Sequence, residues 1–135
     1  MDIDTTNDLR RPATEFFANL EAAWNAGDGR RFGAEFAEVT DFVNIRGEHL
    51  HGDSALIAAG HQGIFDTIYR GSTNSLHVDR VREIAPGVIL VHATSTLDAP
   101  TGPLAGTHQA KMSALLVEHE GTWKATAFHN TLVTN

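Results

Sequence analysis

The chain contains no cysteine. That absence excludes a disulfide framework, thiolate zinc sites and a thiol nucleophile. Cations are also scarce: 10 Lys and Arg stand against 17 Asp and Glu, a formal net charge of −7. The basic residues are scattered, with only Arg10-Arg11 and Arg30-Arg31 adjacent. A phosphate backbone would meet net repulsion, so nucleic acid is not an expected partner. No apolar run approaches the ~18 residues of a membrane span. The opening "MDIDTTNDLRR" carries acids early and has no apolar stretch, so no secretory leader is expected and the expected location is cytoplasmic. A Gly-rich dinucleotide turn is missing too, and no cofactor is expected.

What remains is an ordinary apolar content over 135 residues, enough for one domain with a real core. Ala13, Phe16, Phe17, Leu20, Ala23 and Trp24 fall on an i, i+3, i+4, i+7 stripe, which predicts an amphipathic helix. Pro12 is expected in its first turn and Gly27 just past its end. Asp28 then caps a short second helix carrying Phe32 and Phe36. "TDFVNIRGEHLHG" reads as two short strands around Arg46-Gly47. A third helix follows, capped by Asp53 or Ser54, with Ile57, His61, Ile64, Phe65 and Ile68 on its buried stripe. Strands are expected at about 75–84, 87–98, 107–119 and 122–133, broken at "APG", "DAPTGPLAG" and "HEG".

Helices gathered first and strands last imply an α+β layer, with helices on one face of a curved, mixed or antiparallel sheet. The other face also carries apolar residues, among them Leu115, Val117 and Leu132, so a homodimer through that outer face is expected.

The candidates for chemistry are histidines. His61 sits one turn from Ile57 and from Phe65, on the core side of its helix. Only imidazole titrates near neutrality without help, which makes it a candidate acid/base. His92 shares a strand face with Leu90 and Thr94. His129 shares one with Trp123, Ala125 and Ala127, and two alanines under the helices leave space as a pocket floor would. By that alternation His129 looks into the cone and Asn130 away from it, unless a bulge shifts the strand. Trp24, Phe36, Phe65 and Tyr69 are the expected apolar wall of a pocket, with Trp123, Asn44 and Asn130 as further ligand contacts. Lys111 reads either as a surface lysine or as a charge at the cavity rim.

Two motifs are discounted. "GDSAL" resembles a hydrolase nucleophile block, but the late Asp-x-x-His is missing, so Ser54 reads as a helix cap. "HLH" at 49–51 puts two imidazoles on one strand face with no third ligand at recognisable spacing, so no metal site is expected.

Taken together, "AAWNAGDGRRFGAEFAEVTDFVNIRGEHLHGDSALIAAGHQGIF", "APGVILVHA" and "GTWKATAFHNTLV" resemble the NTF2-like superfamily. More narrowly they resemble its SnoaL-like branch and the SgcJ/EcaC-type group, associated with enediyne and other polyketide gene clusters. The resemblance runs from about Phe16 to Val133. It implies a cone of three helices over a curved sheet (the cystatin-like shape), a central cavity for a small-molecule ligand, and usually a dimer. Superfamily members include ketosteroid isomerases, polyketide cyclases, dehydratases, hydrolases and plain binding modules. In the isomerase-like members an acid near the first strand shuttles a proton, a role that would fall here to Asp41. Asn44 lies on the opposite face to Asp41, so one of the two is expected to see the cavity. The implied functions are cofactor-independent acid/base chemistry through His61, His92, His129 or Asp41, or ligand binding without catalysis.

Overall fold

The computed structural model describes residues 5–134. The elements are α1 (Thr5–Asn25), α2 (Gly29–Gly33), β1 (Phe36–Val43), β2 (His49–Gly52), α3 (Ser54–Phe65), β3 (Thr73–Ala85), β4 (Val88–Ala99), β5 (Gly106–His119) and β6 (Thr122–Leu132). Among the described residues no helix is long and apolar enough to cross a membrane.

Local chemistry explains the boundaries. Gly27 adopts φ +65°, and the Asp28 N–H reaches back to the Ala23 carbonyl at 2.9 Å, closing α1 as a glycine at the position after the C-cap does. The Asp28 carboxylate then accepts from the Arg31 N–H at 3.1 Å and starts α2. Asp53 does the same for α3 through the Leu56 N–H. Ser54 instead donates to the Gly33 carbonyl at 2.7 Å, tying α3 to α2. Two expectations are corrected. The first helix begins at Thr5, so Pro12 lies in its interior at the loss of one backbone bond. Phe36 is not helical but opens β1, although its ring still stacks on Phe32 at 5.7 Å.

The six strands lie in the order β2-β1-β6-β5-β4-β3, antiparallel except for the parallel β1–β6 pair. The three helices cover one face. Phe16, Phe17 and Leu20 of α1 are buried against Ile89, Val91, Met112, Ala114, Leu116 and Phe128 of the sheet. Phe42 and Phe128 stack across β1 and β6 at 4.9 Å and 9°. Burial of each such side chain contributes roughly 1.5–3 kcal/mol. α1 is also latched to β3 by hydrogen bonds. Asn25 pairs with both backbone groups of Asn74, and Glu21 accepts from the Leu76 N–H.

One irregularity decides what faces where. In β6, Leu115 pairs with Ala127 and Leu116 with Ala125, leaving Thr126 as an extra residue. This bulge breaks the alternation. Ala125 points to the helices before it, and Phe128, Asn130 and Leu132 do so after it. His129 consequently lies on the outer face and is exposed, reversing the inward orientation that strict alternation from Trp123 predicts. Leu132, expected on the outer face, is likewise turned inward.

Candidate functional site

Between α3, the open end of the sheet and the β4–β5 connection lies a cavity of about 250 Å³. Its wall is largely apolar: Trp24, Phe42, Ile64, Ile68, Leu97 and Leu132 contribute. The β4–β5 connection forms the roof with Pro103 and Leu104. That roof sits tightly on α3's exit: a Cβ at Gly102, which has φ +92°, would lie 2.3 Å from the Ile68 carbonyl oxygen. Proximity and backbone conformation both require glycine there.

His61 is the one buried imidazole of the site, 6% exposed. Phe32 stacks on its ring at 4.0 Å, and Phe42, Phe65 and Trp24 surround it edge-on. Its Nδ1 lies 2.9 Å from the Ile57 carbonyl. A carbonyl oxygen only accepts, so Nδ1 carries the proton and Nε2 is a bare lone pair. Burial pushes the imidazole down to about 4, the Ile57 carbonyl opposing that shift in part. The ring is therefore neutral near pH 7, and Nε2 has no partner among the described residues.

Tyr69 packs against Trp24 at 5.3 Å and lines the same space. Burial raises its phenol, with Arg46 opposing, so the hydroxyl stays protonated. Asn74 and Ser95, both buried, form a pair in which the Ser95 hydroxyl donates to Asn74 Oδ1 at 2.6 Å. Asn130 faces the cavity from β6, and its Oδ1 is the one fully shielded side-chain oxygen or nitrogen without a hydrogen-bond partner among the described residues.

The expected site residues thus divide. His61, Trp24, Asn44, Tyr69 and Asn130 line the cavity, though Asn44's polar atoms are spent in its own turn, on Glu48 and the Arg46 N–H. Phe36 and Phe65 are core residues behind the wall, and Trp123 packs at the core's edge. Asp41 is on the outer face because Phe42 beside it points to the helices. Its Oδ1 holds His49 Nε2 at 2.8 Å and His51 Nδ1 at 2.9 Å, and these contacts lower its carboxyl. His92 shares that face and meets Ser113 Oγ at 3.0 Å. Lys111 is there as well, donating to Thr94. His61, His92 and His129 do not converge, and among the described residues no carboxylate lines the cavity. Sequence reasoning missed Asn74, Ser95 and the roof. Their signal was faint: a polar residue alternating with Leu76 and Val78 in β3, and a turn-rich loop read only as a break between strands.

No family model matches the chain, and no curated protein matches it significantly in sequence. Solved structures do. A domain of unknown function from Nostoc punctiforme, with a cystatin-like fold, superposes with a TM-score of 0.84 at 26% identity, covering 96% of this chain and 80% of that one. This chain has the cystatin-like, or NTF2-like, fold. An uncharacterised cystatin-like protein from Caulobacter vibrioides gives 0.83 at 27% identity, over 94% and 91%. A ketosteroid isomerase-like protein from Erwinia carotovora atroseptica gives 0.74 at 12% identity, over 96% and 97%. That last likeness is one of fold alone. In the NTF2-like fold of this chain the cone's interior is the cavity built by His61, Tyr69 and Asn130.

Proposed function

We propose that this protein is a small-molecule pocket protein of the SnoaL-like, SgcJ/EcaC-type group, and that it binds an apolar, oxygenated, polyketide-like metabolite in the cavity. One observation carries the reading. A space walled by aromatic and aliphatic side chains keeps two polar groups, His61 Nε2 and Asn130 Oδ1, without partners among the described residues. A filled cone has no use for an unpaired buried carbonyl that costs about 1–3 kcal/mol, whereas a ligand site does. The reading includes a cytoplasmic location and a homodimer through the outer sheet face. Leu90, Leu115 and Ala127 run in register across that face, opposite the helices of the described residues; a second copy would bury the same strip against itself.

Binding is favoured over isomerisation. No carboxylate of the described residues lines the cavity, and Asp41 is turned away. His61 Nε2 is nevertheless bare and accessible, which keeps proton transfer from a bound hydroxyl as the second reading. The test is an NMR titration of the histidine rings and the Asn130 side-chain amide with a panel of aromatic polyketide-like compounds. Shifts confined to His61, Asn130 and Trp24 are expected. A panel that moves none of them, or moves only surface histidines, would sink the reading.

A further inference from the structure

We infer that the ligand of this cavity is an uncharged molecule that donates a hydroxyl hydrogen to His61 Nε2, a phenol or enol and not a carboxylate or a bare ketone. The inference rests on the binding reading above and narrows its ligand class. Its basis is the direction of the hydrogen bonds the cavity leaves unmade. His61 Nδ1 is committed to the Ile57 carbonyl, which fixes the tautomer and leaves Nε2 able only to accept. The ring cannot swing to offer its N–H, because Phe32 stacks on one face and Phe42, Phe65 and Trp24 hold its edges.

Two side-chain donors of the lining are already committed. Trp24 Nε1–H is spent on Ser72 and the Ser95 hydroxyl on Asn74, so neither offers a hydrogen to a ligand carbonyl at depth. Arg46, the one cation in the lining, is exposed and paired with Glu48 at 3.1 Å. An anion entering the cavity would lose its water and meet a lone pair beside apolar walls. A ketone at the same point would set lone pair against lone pair. A hydroxyl satisfies Nε2, and a further ligand hydroxyl would satisfy Asn130 Oδ1, the other unpaired acceptor of the lining. Sites that pair a buried polar group with a substrate hydroxyl reject the analogue lacking it, because the group is then left unpaired.

The experiment compares three two-ring probes of similar shape: 2-naphthol, 2-methoxynaphthalene and 2-naphthoate. Binding to the full chain is followed by calorimetry and by quenching of Trp24 in a Trp123→Phe background. Naphthol should bind at least about tenfold more tightly than the methyl ether, since an unmet acceptor is the difference, and naphthoate should be no better than the ether. His61→Phe should abolish the preference, so that naphthol and the ether bind alike. Should that variant fail to fold, the ¹⁵N resonances of wild-type His61 give the same answer: naphthol should move Nε2 and leave Nδ1 unchanged. Equal binding of naphthol and ether would overturn the donor inference and leave the pocket reading standing. Tighter binding of naphthoate would overturn the inference by showing that the cavity supplies hydrogens. No binding of any probe at millimolar concentration would remove both.

Discussion

Acidification should reveal His61 as a destabilising proton site. Its ordinary value of 6.5 falls to about 4 in the folded chain because burial opposes the charged ring. The sign follows from linkage. Above pH 6.5 both states hold the imidazole neutral. As pH falls from 6.5, the unfolded chain takes up a proton that the folded chain refuses, so stability drops until pH reaches about 4 and then levels off. At about 1.4 kcal/mol per pH unit, the gap amounts to about 3 kcal/mol, most of it lost by pH 4.5. That is a large share of the 5–15 kcal/mol typical of a domain. The assay is urea unfolding followed by tryptophan fluorescence at pH 7.5, 6, 5 and 4.5, for the wild type and His61→Gln. Asp41 and Glu48, whose carboxyls their partners hold low, also lose stabilisation at acid pH, but equally in both proteins. The wild type should therefore lose about 2.5 kcal/mol more than the variant over this range. Parallel curves would refute the neutral, buried imidazole and the acceptor role built on it.

Other outcomes are expected. Asn130→Leu should stabilise the fold by about 1 kcal/mol, by removing an unpaired carbonyl; thermal melts check it. Leu115→Asp should convert a dimer to a monomer in sedimentation without altering the circular dichroism spectrum, and a wild type that is already monomeric would refute the outer-face pairing. Gly102→Ala should cost about 1–3 kcal/mol and loosen the roof, since the new methyl would meet the Ile68 carbonyl and the backbone is left-handed there. Hydrogen exchange at 103–106 reads that loosening.

The parts of this fold legible in the sequence are those decided within a few residues. Asp28 and Asp53 cap because their carboxylates reach an N–H three positions on, and Gly27 ends a helix because it alone tolerates φ +65°. The order of elements followed from such signals and from the apolar periods. His61 was legible for the same reason: helical spacing from Ile57 fixes its face. The strand candidates were not. Whether Asp41 or Phe42 faces the helices depends on pairing with β6, and His129 depends on Thr126 having no partner in β5. Neither fact is local. The cavity's roof comes from the 100–105 loop, whose turn formers announce a loop without saying where it lies.

Thr126 makes β6 a selector with two settings. With Thr126 bulged out of the pairing, the end of the strand turns Phe128, Asn130 and Leu132 toward the helices. Were Thr126 paired regularly with β5 instead, the identical downstream sequence would present Ala127, His129 and Thr131, exchanging an aromatic core contact for a methyl and an amide for a titratable ring. Which side chains β6 gives to the interior is then a matter of how the strand pairs rather than of which residues it carries. Within this fold a change of pairing at the β6 bulge would re-specify the chemistry of the cavity in one step, without any change to the helices that enclose it.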